Sequence, residues 1–150
     1  MLSEQAAEAA DPGRVPRYKS LIPKRWLEMI APVWILCLIL GSFLPGPTKQ
    51  RLGTLNPEAH HHIIQVIWRH RIAHLVAFGS TALLLMMLAD TRRGEFSAAT
   101  SVFLLGLLIE CVQPVVYGTV FEYWDLRDDF YAVSAAFAGV QIARDYRSGP

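Results

Sequence analysis

The chain has 150 residues, the size of one domain, and 53% of them are hydrophobic while only 18% are charged. This balance is more apolar than that of ordinary soluble domains and favours a membrane-embedded protein. The formal net charge of +1 gives no support for binding nucleic acid or an acidic substrate.

The chain begins with a polar segment, residues 1–25, that is predicted to be a flexible basic tail in the cytoplasm. A cleaved signal peptide would need a short basic start directly before its apolar region. The polar segment is too long for that, so the first apolar stretch is predicted to be an uncleaved helix. The basic residues of the tail are Arg14, Arg17, Lys19, Lys24 and Arg25.

Four apolar stretches follow, and each is predicted to be a helix that spans a membrane, at 27–44, 72–89, 98–116 and 125–143. A span needs about 20 apolar residues, with about 17 as the lower limit, and the first three stretches meet this requirement. The fourth is the least hydrophobic and meets it if its acidic first turn lies at the interface. The sequence therefore predicts an all-α integral membrane four-helix bundle over residues 26–145.

Basic residues determine the expected orientation of this bundle. They crowd before the first helix, between the second and third helices at Arg92 and Arg93, and after the fourth at Arg144 and Arg147. The positive-inside rule then places the N and C termini in the cytoplasm. Four basic residues in the first outer loop run against this orientation: Lys49, Arg51, Arg69 and Arg71.

The first outer loop, residues 45–70, is predicted to contain a short helix that lies in the membrane interface. Asn56 followed by Pro57 is typical of a helix start. Apolar residues then repeat at helical spacing with polar residues opposite, the pattern of an interfacial amphipathic helix. They are Ala59, Ile63, Val66 and Ile67.

Ionisable residues within the apolar stretches are the main indication of function, because such side chains are costly at membrane depth and usually mark functional sites. Glu110 lies in the third predicted helix, and Gln113 follows on the same helical face. With the predicted topology, His74, Asp125 and Asp129 lie near the same outer end. We therefore predict a ligand-binding pocket formed by His74, Glu110, Gln113, Asp125 and Asp129.

Each of these residues has a purely structural alternative. His74 could form a hydrogen bond across the bundle, and Asp125 could simply cap a helix. Glu110, while protonated, could join two helices by a hydrogen bond. Small residues continue the face of the fourth helix below Asp129 and predict close helix packing. They are Ala132, Ala136 and Gly139.

The histidines carry no recognised metal-binding signature. His60, His61 and His62 are consecutive, so on a helix they would point in different directions. His70 and His74 have the spacing of two ligands on one helical face, and nearby carboxylates could complete a zinc-like set. That alternative stays open, but the sequence predicts no resident metal, no other cofactor and no catalytic residue.

Several of these residues resemble the motifs of VanZ-like membrane proteins. The segment 71–78, Arg-Ile-Ala-His-Leu-Val-Ala-Phe, resembles the Lys-x-x-His-x-x-x-Phe opening of that family's second core helix. The segment 110–113, Glu-Cys-Val-Gln, matches its Glu-x-x-Gln. Asp125 stands where the family's aspartate starts the last helix. The resemblance covers about residues 27–143.

The chain also departs from the family pattern. Thr119 replaces a usual arginine, and Asp129 places a carboxylate where a neutral amide is common. Losing a cation while gaining a carboxylate demands another counter-charge, which Arg71, Arg127 or His74 could supply. In addition, Ala132 and Ala136 replace glycines, and His70 stands where an aspartate is common.

The resemblance implies a multi-pass protein of the bacterial cytoplasmic (inner) membrane. Because the family's namesake is associated with resistance to a glycopeptide antibiotic, it implies by analogy a role in handling envelope lipids or glycan precursors. The first hypothesis is thus an outer-facing pocket for such a component. The second is an accessory subunit packed against other integral membrane proteins, with a degenerate pocket. An enzyme with paired carboxylates and a histidine is the third, and no nucleophile motif supports it.

Overall fold

The computed structural model describes residues 23–44 and 62–148, with the backbone alone described at 62–67, 147 and 148. This part of the chain forms α-helices, each antiparallel to the next. They are α1 (Lys24–Ser42), α2 (His62–Leu88), α3 (Arg92–Tyr117) and α4 (Tyr123–Ser148). The predicted all-α architecture is confirmed for the described residues.

Three of these helices are long and apolar enough to cross a membrane: α1, residues 68–88 of α2, and α3. They fit the predicted multi-pass membrane protein. Helix α4 has 26 residues and is about 39 Å long, so its length also suffices. It is more polar than the other three, with charged side chains concentrated near its two ends.

Helix α2 begins at His62 and continues to Leu88. The start of the predicted interfacial helix, at Asn56 and Pro57, lies outside the described residues, and its later part belongs to the first turns of α2. Most of the predicted tail lies outside them as well, whereas Lys24 and Arg25 form the first turn of α1.

Local capping interactions explain where α3 begins and ends. The Thr91 hydroxyl accepts a hydrogen bond from the Gly94 backbone N–H at 3.0 Å, which is the usual N-cap interaction. At the other end, Gly118 has a φ of 65° and donates its N–H to the Pro114 carbonyl. This left-handed conformation favours glycine. Because of the cap at Thr91, α3 starts before the predicted residue 98.

Replacing Thr91 by alanine is expected to lower the free energy of unfolding by about 1 kcal/mol, since the Gly94 N–H loses its acceptor. Thr91→Ser keeps the hydroxyl and should retain most of the stability. Unfolding in mixed micelles of a mild detergent and dodecyl sulfate measures both variants. An equal loss in the serine variant would show that the methyl group, and not the cap, is responsible.

Helix α2 is central and packs against the other three helices. On its contact with α4, a Cβ built at Gly79 would lie 3.7 Å from the Cβ of Ala132, an ordinary van der Waals distance. Ala132 and Ala136 are buried, as the small-residue pattern predicts, whereas Gly139 faces open space. The apolar core consists of Leu38, Phe78, Ala82, Met86, Ala99, Val102, Ile109, Ala132, Val133, Ala136 and Val140.

Helix α1 packs mainly along α2. The Trp34 indole N–H donates to the Thr81 hydroxyl at 3.1 Å, and that hydroxyl donates to the Ala77 carbonyl. Thr81 is fully buried, so these bonds satisfy a polar group inside the bundle. The opposite side of α1 exposes Val33 and Leu40, as expected for a helix that faces lipid.

Candidate functional site

Charged and polar side chains from three helices meet at one end of the bundle, and we refer to them as the polar cluster. Its members are His70, Arg71 and His74 on α2, Glu110 on α3, Glu122 just before α4, and Asp125, Arg127, Asp128 and Asp129 on α4. Four of its carboxylates are at most 5% exposed. Buried charges require partners, so the contacts of these groups decide what the cluster can do.

His74 lies between two carboxylates of α4. Its Nδ1 is 2.8 Å from Asp129 Oδ1, and its Nε2 is 3.5 Å from Asp125 Oδ2. The two aspartates are one helical turn apart, so they share a face of α4. The ring also stacks on Phe78, with centroids 5.8 Å apart. These contacts hold the imidazole in one orientation.

His70 lies one turn before His74 on α2 and contacts the same aspartate. Its Nε2 is 2.7 Å from Asp125 Oδ2 and 4.0 Å from Glu122 Oε2. The two imidazole centroids are 4.7 Å apart. Asp125 therefore sits between two imidazoles. Partial burial raises the pKa of the Glu122 carboxyl, and its hydrogen bond with Asp125 adds to the rise, as expected where carboxylates crowd together.

The two arginines of the cluster both bind Asp128. Arg71 Nε donates to Asp128 Oδ2 at 2.7 Å, and Arg127 Nη2 donates to Oδ1 at 2.9 Å. Their guanidinium groups also lie over Trp68 and Trp124, respectively. The arginines thus neutralise Asp128 and leave the other carboxylates to the histidines. Of the counter-charges considered from the sequence, His74 is the one that contacts Asp129.

Two carboxyl groups in the cluster have an oxygen without a hydrogen bond in the described part of the chain, and one of these oxygens, Asp129 Oδ2, is fully buried. Glu110 is 2% exposed, and its carboxyl makes none there, although it is close enough to His74, Asp125 and Asp129 to interact electrostatically. Asp129 Oδ2 is the second such acceptor. Leaving a buried polar atom unsatisfied typically costs about 1–3 kcal/mol, more when it is charged. The Glu110 carboxyl is therefore the candidate contact point for a ligand, whereas Asp129 Oδ2 is enclosed against α3 at Gly106.

Space for the Asp129 carboxylate depends on the glycine opposite it. A Cβ built at Gly106 on α3 would lie 2.7 Å from Asp129 Oδ2 and 3.0 Å from Phe78 Cε1. Both distances are shorter than ordinary contacts. Gly106 therefore allows α3 to approach the carboxylate that orients His74.

The Gln113 amide belongs to a different contact. Its Nε2 donates to the Ser42 carbonyl at 3.0 Å, and the nearby Tyr117 hydroxyl donates to the Phe43 carbonyl. Both bonds join the end of α3 to the end of α1. The structure thus brings together four of the five predicted ligand-binding residues, and it places the Gln113 amide nitrogen against α1. The four are His74, Glu110, Asp125 and Asp129.

No sequence pattern identified Asp128 as the residue that binds both arginines. Glu95 on α3 and Arg144 on α4 were missed as well, although they form a buried ion pair at the other end of the bundle. His70 was considered only as a metal ligand. Its spacing from His74 was the available signal, and the contact with Asp125 shows that the signal was informative.

Comparison of the chain with models of protein families, with curated proteins and with solved structures finds no match. The resemblance to VanZ-like proteins therefore stays a prediction carried by sequence motifs. Chemically, the cluster offers imidazoles and carboxylates that accept hydrogen bonds or bind cations. Within the described residues, no hydroxyl or thiol is hydrogen-bonded to His70 or His74, as an activated nucleophile would be.

Proposed function

We propose that the chain is a VanZ-like multi-pass membrane protein whose polar cluster binds the head group of an amphipathic envelope component, a lipid or a glycan precursor. The observation that carries this proposal is the buried Glu110 carboxyl, which lies beside His74 and two aspartates without a hydrogen-bond partner among the described residues. In an apolar bundle such a group is costly unless a ligand or a watery cavity meets it.

The charges of the cluster favour a head group rich in hydrogen-bond donors. Because both arginines bind Asp128, four carboxylates remain beside two histidines. Sugar hydroxyls, amides or an ammonium group would satisfy these acceptors, whereas a bare phosphate would be repelled. The remaining carboxylates are Glu110, Glu122, Asp125 and Asp129.

An apolar tail would extend along the lipid-facing surface next to the cluster. Val76 on α2 is 60% exposed and Leu108 on α3 is 59% exposed. Both residues lie within two turns of a cluster member on the same helix. An amphipathic molecule could therefore place its head group among the carboxylates while its tail stays in the hydrocarbon region.

The distribution of basic residues supports an outward-facing cluster in the bacterial cytoplasmic membrane, with both termini inside. Arg92, Arg93 and Arg144 lie at the end of the bundle opposite the cluster, together with the start of α1. Among the described residues, the cluster end has fewer basic side chains, namely Arg69, Arg71 and Arg127. The positive-inside rule then assigns the opposite end to the cytoplasm.

The proposal is tested by identifying the lipids that co-purify with the full chain and with two variants. Glu110→Gln and His74→Ala should each reduce the bound molecule at least about tenfold, because a hydrogen bond to a charged group contributes about 1.5–3 kcal/mol. Glu28→Gln makes the same chemical change at an exposed position of α1 and should leave the bound molecule unchanged. Mass spectrometry of solvent extracts measures the amounts.

Circular dichroism in detergent controls for folding of each variant. Wild-type amounts of the bound molecule in folded Glu110→Gln and His74→Ala would contradict the proposed pocket. Stoichiometric co-purification with other integral membrane proteins, unchanged in both variants, would instead support an accessory subunit.

A further inference from the structure

We propose that His70, His74 and Asp125 bind a divalent transition-metal ion, with Zn²⁺ as the best match. The side chains come from two helices, and a nitrogen from each histidine and an oxygen of Asp125 all lie within 4.8 Å of one another. Neither histidine spacing nor a carboxylate alone defines such a site. The evidence is the convergence of all three atoms on one point.

The distances from Asp125 to the two histidine nitrogens are close to those of tetrahedral coordination. Metal–ligand bonds of about 2.0–2.1 Å place neighbouring tetrahedral ligands about 3.3 Å apart. Asp125 Oδ2 is 2.7 Å from His70 Nε2 and 3.5 Å from His74 Nε2. These two values bracket the required separation, and the two histidine nitrogens, which lie within 4.8 Å of each other, would move closer together when the ion binds.

The second ring nitrogen of His74 makes the contact with a carboxylate that metal-binding histidines usually make. Its Nδ1 lies 2.8 Å from Asp129 Oδ1, which leaves Nε2 directed at Asp125. A carboxylate on the second ring nitrogen fixes the tautomer and increases the basicity of the coordinating nitrogen. Asp129 is fully buried and therefore holds the imidazole in place.

The set of two imidazoles and one carboxylate favours zinc and related transition metals over Mg²⁺ and Ca²⁺, which prefer oxygen ligands throughout. The fourth position would be filled by Glu122, whose Oε2 is 4.0 Å from His70 Nε2, or by water. A dication would also offset the excess of carboxylates in the cluster. The metal site does not require the proposed head-group ligand, and binding of each is measured separately.

Metal binding to the full chain in detergent tests the proposal, with Zn²⁺ in equilibrium dialysis and Co²⁺ in visible absorption. His60, His61 and His62 are first replaced by alanine, because consecutive histidines bind metal weakly by themselves. We expect about one ion per chain and the absorption of tetrahedral Co²⁺. His70→Ala should weaken binding more than about 100-fold, beyond the 10–100-fold expected for the supporting variant Asp129→Asn.

His70 is the informative position, because its side chain is 41% exposed and its removal should leave the bundle packed. Asp90→Asn is the matched control for Asp129→Asn, because it makes the same chemical change far from the proposed site. Asp90 is an exposed carboxylate that pairs with Lys24 at the opposite end of the bundle. The Asp90→Asn variant should bind metal like the parent. Absence of a bound ion in the parent, or equal affinity in His70→Ala and the parent, would overturn the proposal. Loss of metal with retention of a lipid-like molecule would leave the proposed function intact.

Discussion

Arg144→Met is expected to lower the free energy of unfolding by about 3–5 kcal/mol, because it leaves Glu95 charged and buried without its cation. Glu95 and Arg144 are 3% and 5% exposed, respectively, and form an ion pair between α3 and α4. Gln141 joins the pair by donating to Glu95 at 3.0 Å and accepting from Arg144 at 3.1 Å. Unfolding in mixed micelles measures the loss.

A double variant distinguishes the ion pair from simple loss of packing. Glu95→Leu combined with Arg144→Met removes both charges and should restore most of the stability lost in Arg144→Met. The exposed pair Arg92 and Asp145, 3.5 Å apart, lies at the same end of the bundle. Arg92→Met should change stability by less than about 1 kcal/mol. Equal losses in Arg92→Met and Arg144→Met would contradict the assignment of a buried pair.

Gly106→Ala is expected to lower the free energy of unfolding by about 1–3 kcal/mol and to disturb the polar cluster. The added methyl group would lie 2.7 Å from Asp129 Oδ2 and 3.0 Å from Phe78 Cε1. Asp129 is fully buried and bound to His74, so it cannot turn into open space. The overlap therefore moves the carboxylate, the histidine or the whole of α3.

Gly139→Ala is the matched control, because a Cβ there meets nothing within 4 Å. It should be neutral or stabilising by up to about 1 kcal/mol, the difference in helix propensity between the two residues. The free energy of unfolding and the amount of co-purified lipid are measured for both variants and compared. Wild-type stability together with wild-type ligand content in Gly106→Ala would show that α3 and α4 are farther apart at this position.

The positions of the helices were predictable, because each apolar stretch is long enough to require burial or lipid. The residues at which the helices begin and end were less predictable. α3 starts before its predicted boundary because Thr91 caps it and because Glu95 is buried against Arg144. A hydropathy pattern assigns such charged residues to a flanking loop. It also could not indicate that residues from His62 onward continue directly into α2.

The antiparallel topology predicted which residues converge, because the end of each helix lies beside the start of the next at the same end of the bundle. These residues are His74, Glu110, Asp125 and Asp129. The topology did not predict which side chain each carboxylate binds. Asp128 and Asp129 are adjacent but point about 100° apart on α4, so one binds arginines and the other binds His74. A shift of one residue in helix rotation would exchange these roles. Sequence spacing does not determine that rotation.

Native mass spectrometry would show whether the polar cluster holds an amphipathic ligand. The tagged full chain would be released gently from its own membrane. We expect a single chain that carries one lipid-like molecule, and Glu110→Gln should release that molecule. A chain without a bound molecule, or a heavy assembly with stoichiometric protein partners and no such molecule, would contradict this expectation.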